Sequence, residues 1–176
     1  KMIGDIDFES GRAEDAYSAY LDVFDALPEA HPERYVVAAR LLELGSAQGD
    51  TDRLAQHTLN YVSLRPSEVS VAIQVAQQLA GSQGLQAAYD LLTTLYERVE
   101  AVRVSLDLVL SVGQIAEEAE APEEALSWYQ RALELGPKEA RIWLKVAQLC
   151  AGLGDTATAN EAFTVAQGLI AEQRGA

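Results

Sequence analysis

Few residues in this chain could do chemistry, and their spacing narrows what that chemistry is. His31 and His57 stand outside any metal-ligand spacing. His31 precedes Pro32 in a loop, and His57 falls on a helix, so both are expected to be solvated or to pack. Cys150 is the one cysteine, so no intrachain disulfide can form. It occupies a small-residue helix position and is expected to be a buried, inert thiol. Gly152-x-Gly154 follows no strand, so it is expected to be a helix terminus and not a dinucleotide turn. There is no phosphate-cradling glycine loop, no serine elbow and no Cys–His pairing in the sequence. The acidic run from Glu117 to Glu124 lacks the spacing of a calcium loop. It is expected to be a solvated inter-helix turn, with Glu123 and Glu124 favoured by the dipole at a helix start. What remains is recognition chemistry, including the basic pair Arg141 and Lys145, one helical turn apart. No catalytic residues, metal ligands or cofactors are expected.

Composition narrows the partners. The formal charge of the 176 residues is −14, and such a surface repels nucleic-acid phosphates and anionic lipid. A protein or peptide partner is therefore expected. Asp5, Asp7, Glu9, Glu14, Asp15, Asp22 and Asp25 make the N-terminal stretch acidic too, able to repel like chains or attract a basic partner. No apolar run is long enough to span a bilayer, and no signal peptide is visible. The chain opens at Lys1, so a leader or an earlier domain can precede it. Arginine outnumbers lysine, which hints at a GC-rich bacterial source, with a cytoplasmic or periplasmic location.

Ala, Leu, Gln and Glu are many, aromatics are few, and strand signals are absent. The helical pattern repeats. At a shift of 34 residues, Val112 falls on Val146, Gly113 on Ala147, Ala116 on Cys150, Ala125 on Ala159, Tyr129 on Phe163 and Ala132 on Ala166. A triplet of small, large apolar and apolar residues recurs as Ala16–Tyr20–Val23, Ala55–Leu59–Val62, Ala88–Leu92–Leu95, Ala125–Tyr129–Ala132 and Ala159–Phe163–Ala166. The small residues let paired helices approach, and the rings Tyr129 and Phe163 are expected to fill the space between one hairpin and the next. Punctuation agrees. Pro28, Pro66 and Pro137 follow second helices, Gly49-Asp50 and Gly154-Asp155 separate the two helices of a unit, and Pro122 suits a first helical position. Helices are expected over 12–26, 32–47, 51–63, 67–81, 84–98, 101–119, 122–135, 138–152 and 155–170, with a partial one over 2–9.

The segment Val109-x2-Val112-Gly113-x2-Ala116, followed by Ala125-x3-Tyr129 and Pro137, resembles a tetratricopeptide repeat. The next unit resembles it too, through Trp143-x2-Val146-Ala147-x2-Cys150, Ala159-x3-Phe163 and Ala166. The units over 32–66 and 67–100 are degenerate, and of the first only the second helix and a fragment around Ile3-Gly4 fit. The resemblance implies an all-α, right-handed superhelical solenoid of antiparallel helix pairs, as one domain. Its units would lie near 1–28 (partial), 32–66, 67–100, 105–137 and 139–171.

In this family the first helices line a concave groove where ligands lie. Gln77, Gln114 and Gln148 fall at equivalent places on those helices, and Ile73, Leu110 and Leu144 stand four residues before each. Amides donate and accept, so the row suits the backbone of an extended peptide, with the aliphatic row taking its side chains. Arg141 and Lys145 occupy places that are basic in members clamping a terminal carboxylate. Ile73, Gln77 and Ser111 stand where that clamp needs a Lys and two Asn, so only a looser anchor for an acidic group is expected. The function expected is a non-catalytic scaffold or adaptor that binds an extended peptide or a helix in its groove within a multiprotein assembly. The alternatives are a segment that self-associates into a homo-oligomer through exposed solenoid ends, or a regulatory domain of a longer, enzymatic or secretion-related bacterial protein.

Overall fold

The computed structural model describes residues 13–136 and 138–175. The partial helix at 2–9, the Ile3-Gly4 fragment and the stop at Pro137 lie outside them. Nine α-helices occur among the described residues: α1 Ala13–Ala26, α2 Arg34–Gln48, α3 Thr51–Leu64, α4 Val69–Ser82, α5 Leu85–Arg98, α6 Leu106–Glu118, α7 Pro122–Glu134, α8 Ala140–Gly152 and α9 Thr156–Gly175. No strand occurs among them. The chain is an all-α solenoid in which α2 pairs with α3, α4 with α5, α6 with α7 and α8 with α9. Each pair stacks on the next, with α3 also against α5 and α4 also against α6.

Local chemistry sets the boundaries. Gly49 ends α2 at φ +68°, a conformation that glycine adopts without strain. Asp50 then caps α3, its Oδ1 accepting the Arg53 backbone N–H at 3.1 Å. The same device recurs at α9, where Asp155 accepts the Thr158 N–H at 3.1 Å. Pro122 stands at the start of α7, where its missing N–H costs no helical bond.

The helix expected over 101–119 is divided. A 3-10 turn at Glu100–Val102 comes first, and Ser105 then caps α6 by accepting the Leu108 N–H at 3.3 Å. Two anchors hold this elbow. Val102 is buried, and the Arg103 guanidinium donates to the Tyr96 and Glu97 carbonyls at the end of α5. A second 3-10 turn, Pro66–Glu68, replaces the expected first turn of α4, and α9 continues five residues beyond 170.

The small residues that mark the repeat are buried where the helices meet: Ala88, Ala125, Ala132 and Ala166 expose nothing to solvent. In α3 the inward face is one residue off the Ala55–Leu59–Val62 triplet. Leu54, Thr58 and Val62 are buried, and Ala55 and Leu59 are half-buried. Thr58 can face inward because its hydroxyl donates to the Leu54 carbonyl at 2.7 Å. The expectation for the two rings divides. Tyr129 is buried under the next pair, whereas Phe163 is 47% exposed, because no described helix follows α9 to cover it.

Two cores result. Tyr17, Tyr20, Phe24, Val37 and Leu41 join α1 to α2, and a longer core runs from Leu54 to Ala162. Tyr61 packs against both. His57 lies beside this seam, 3% exposed, its Nε2 2.9 Å from the Tyr17 hydroxyl. Burial first, then the neighbouring Arg53 guanidinium, lowers its pKa. His31 instead stays in its loop, accepting the Glu33 N–H at 3.2 Å.

Candidate groove along the first helices

Helices α4, α6 and α8 hold all eight candidate binding residues. Ile73 and Gln77 lie on α4, Leu110 and Gln114 on α6, and Arg141, Leu144, Lys145 and Gln148 on α8. The four-residue step between aliphatic and amide puts each pair on one face. The glutamines are exposed, and Ile73, Leu110 and Leu144 are half-buried beneath them.

Three recesses collect these residues. Ile73, Gln77, Ser111 and Gln114 line one of about 190 Å³ between α4 and α6. Leu110, Gln114, Tyr129, Arg141 and Lys145 line one of about 100 Å³ between α6 and α8. Gln114 lines both, so the two are adjacent. Leu144 and Gln148 fall apart from the rest, in a recess of about 470 Å³ with Ala147, Ala159 and Phe163.

The amides are available. Among the described residues, no intramolecular hydrogen bond holds the side chains of Gln77, Gln114 or Gln148. Elsewhere Gln48, Gln56, Gln83 and Gln86 are engaged, with Glu14, Asn60, Thr51 and Asp90 respectively. The two cations are not available in this way. The Lys145 ammonium donates to both oxygens of Glu117, at 2.7 and 2.9 Å, and Arg141 pairs with Glu139. The Lys145 hydrogen bond, more than any other influence, lowers the Glu117 pKa, with a bond from Tyr129 adding to it. Burial, and then the bond to Glu117, raises the Tyr129 pKa.

Two recesses lie beyond the candidate residues. Leu42, Ser46, Val71, Gln74 and Gln78 line about 450 Å³ between α2 and α4, which would lengthen the groove toward the N-terminus. The signal for this part of the groove was Gly45, buried on α2 two 34-residue periods before Gly113. On the second helices, Tyr89, Tyr96, Trp128 and Arg131 line about 400 Å³. Trp128 meets Tyr96 edge to face at 5.0 Å and donates its indole N–H to the Tyr89 hydroxyl at 3.1 Å. The seven-residue step from Tyr89 to Tyr96 was the signal for this cluster. Cys150 is 2% exposed, and burial raises its thiol pKa, as an inert side chain requires. No group of three or more His, Cys, Asp or Glu able to hold a metal ion occurs among the described residues. No helix among them is long and apolar enough to cross a membrane.

Backbones of this arrangement occur in solved structures of MamA. The likeness is one of fold. A crystal structure of MamA superposes with a TM-score of 0.58 at 18% identity, over 100% of this chain and 99% of that one. MamA 41-end from Desulfovibrio magneticus RS-1 gives 0.53 at 18% identity, over 97% and 93%. Another, MamA MSR-1 C2, gives 0.52 at 23% identity, over 98% and 94%. No protein-family model matches the sequence, and no curated protein matches it.

Proposed function

We propose that this chain is a non-catalytic interaction module of tetratricopeptide type. It holds an extended protein segment along α4, α6 and α8, as a scaffold or adaptor within a larger assembly. One observation carries the reading: Gln77, Gln114 and Gln148 present unengaged amides above the aliphatic row Ile73, Leu110 and Leu144. An extended backbone has an N–H and a C=O to satisfy at each residue, and a carboxamide can serve either. The test uses a peptide selected on the purified chain from a random library. Replacing Leu110, Gln114 and Arg141 together with Ala weakens its binding by about tenfold or more, with the far-UV circular dichroism spectrum unchanged. Unaltered affinity in a folded triple variant overturns the reading.

The exposure of Phe163 over the α8–α9 recess favours a second reading, in which that end of the stack docks on another copy of the chain. A mass independent of concentration in light scattering rejects it.

A further inference from the structure

Glu117 belongs to the acidic run that the sequence assigns to a solvated turn, yet its carboxylate is fixed across the groove. It stands in the last turn of α6 and reaches Lys145 on α8, 28 residues later. Both carboxylate oxygens receive the Lys145 ammonium, at 2.7 and 2.9 Å, and the Tyr129 hydroxyl donates to Oε2 at 3.0 Å. Three helices therefore converge on one carboxylate. Lys145 and Tyr129 are also the polar lining, with Gln114 and Arg141, of the recess between α6 and α8. A group entering that recess meets a cation already neutralised by the chain. The pair is only partly shielded, with Lys145 42% and Glu117 34% exposed at the side chain. Its carboxylate position can thus be reached by an outside group, and an outside carboxylate would have to displace Glu117 or sit beside its charge.

We propose that Glu117 is a specificity-determining residue: it fills the Lys145–Tyr129 seat with the chain's own carboxylate, so the groove takes segments that bring neutral groups there and turns away segments that bring a carboxylate. This rests on the groove reading, and it makes the middle of the groove neutral in effect. Gln114 then supplies the polar contact to the bound segment, and Leu110 the apolar one. Removing the Glu117 charge frees the ammonium and converts the recess into a carboxylate receptor.

The experiment needs no partner. The Lys145 side-chain NMR signals are followed in the full chain while N-acetyl-aspartate N-methylamide is added, whose one carboxylate is the side chain's, with N-acetyl-asparagine N-methylamide as the neutral control. In Glu117→Gln the Lys145 signals respond to the aspartate probe at a concentration at least about tenfold lower than in the unaltered chain. They respond to the asparagine probe equally in both. Glu117→Ala behaves like Glu117→Gln, which keeps the test intact if the glutamine variant folds poorly. Equal response of variant and parent to the carboxylate overturns the proposal, as does a Glu117→Gln response that does not distinguish the two probes. Failure here leaves the groove reading standing, because that reading is decided on the Leu110, Gln114 and Arg141 triple variant.

Discussion

Gly113 sits in the middle of α6, buried against α7, where a close helix–helix approach would demand glycine. The geometry allows more. A Cβ built there meets Trp128 Cβ, Tyr129 Cε1 and Tyr129 Cζ, each at 3.4 Å, which is van der Waals contact without overlap. Gly113→Ala therefore gains about 1 kcal/mol of helix propensity and gives up part of it to the tight contact. The balance is a stabilisation of about 0.5–1 kcal/mol. For a chain of this size that raises the melting temperature by up to about 3 °C. Gly113→Leu must push three further carbons into the same wall, so it destabilises by about 1–3 kcal/mol. Urea unfolding followed by tryptophan fluorescence measures both, read as midpoint shifts at constant slope. A loss above about 1 kcal/mol in Gly113→Ala would refute the reasoning. It would mean that α6 and α7 lie closer than the 3.4 Å contacts allow.

The buried His57 makes stability pH-dependent. Its folded pKa is lowered, so the neutral form contributes its full stability above the unfolded value near 6.5, and that contribution is lost as pH falls through the folded value. Glu14, Asp50, Arg53 and Tyr17 are the charged and titratable groups facing this part of the seam. The urea midpoint of the unaltered chain, taken relative to His57→Gln, should fall as the pH drops below about 6.5; parallel curves for the two contradict the assignment. Ser105→Ala removes the α6 cap and should cost about 1 kcal/mol, with the loss seen first as faster amide hydrogen exchange at Leu108 and its neighbours.

The sequence carried the architecture best where packing selects one residue size. Ala125 and Ala159 face a neighbouring helix, so the 34-residue shift finds them. Gly49-Asp50 and Gly154-Asp155 are legible because a left-handed residue and a following cap each permit few side chains. The register of α3 was hidden because Thr58 satisfies its hydroxyl locally and then packs as an apolar residue. The break before α6 was hidden because Glu100–Val102 reads as good helix, and what stops it is the tertiary burial of Val102 and the reach of Arg103 to α5.

The candidate site was legible as positions but not as chemistry. Counting along the repeats places Gln77, Gln114 and Gln148 on one face, and counting needs no partner information. Whether a cation is free depends on residues far away in sequence. Lys145 reads as an open anchor until Glu117, 28 positions earlier, is found holding it. The aromatic cluster around Trp128 was missed for a similar reason. Tyr89 and Tyr96 lie on α5 and Trp128 on α7, so the cluster forms only when two units stack.

The claim that the first helices hold a protein segment is tested most directly by mapping a bound peptide. A peptide selected on the chain from a random library is titrated into isotope-labelled protein, and amide and methyl shifts are recorded. The account predicts shifts concentrated at Ile73, Gln77, Leu110, Gln114, Leu144 and Gln148, and their loss in the Leu110, Gln114 and Arg141 triple variant. Shifts confined to the second helices around Tyr89 and Trp128, or a library that enriches no binder, would contradict it.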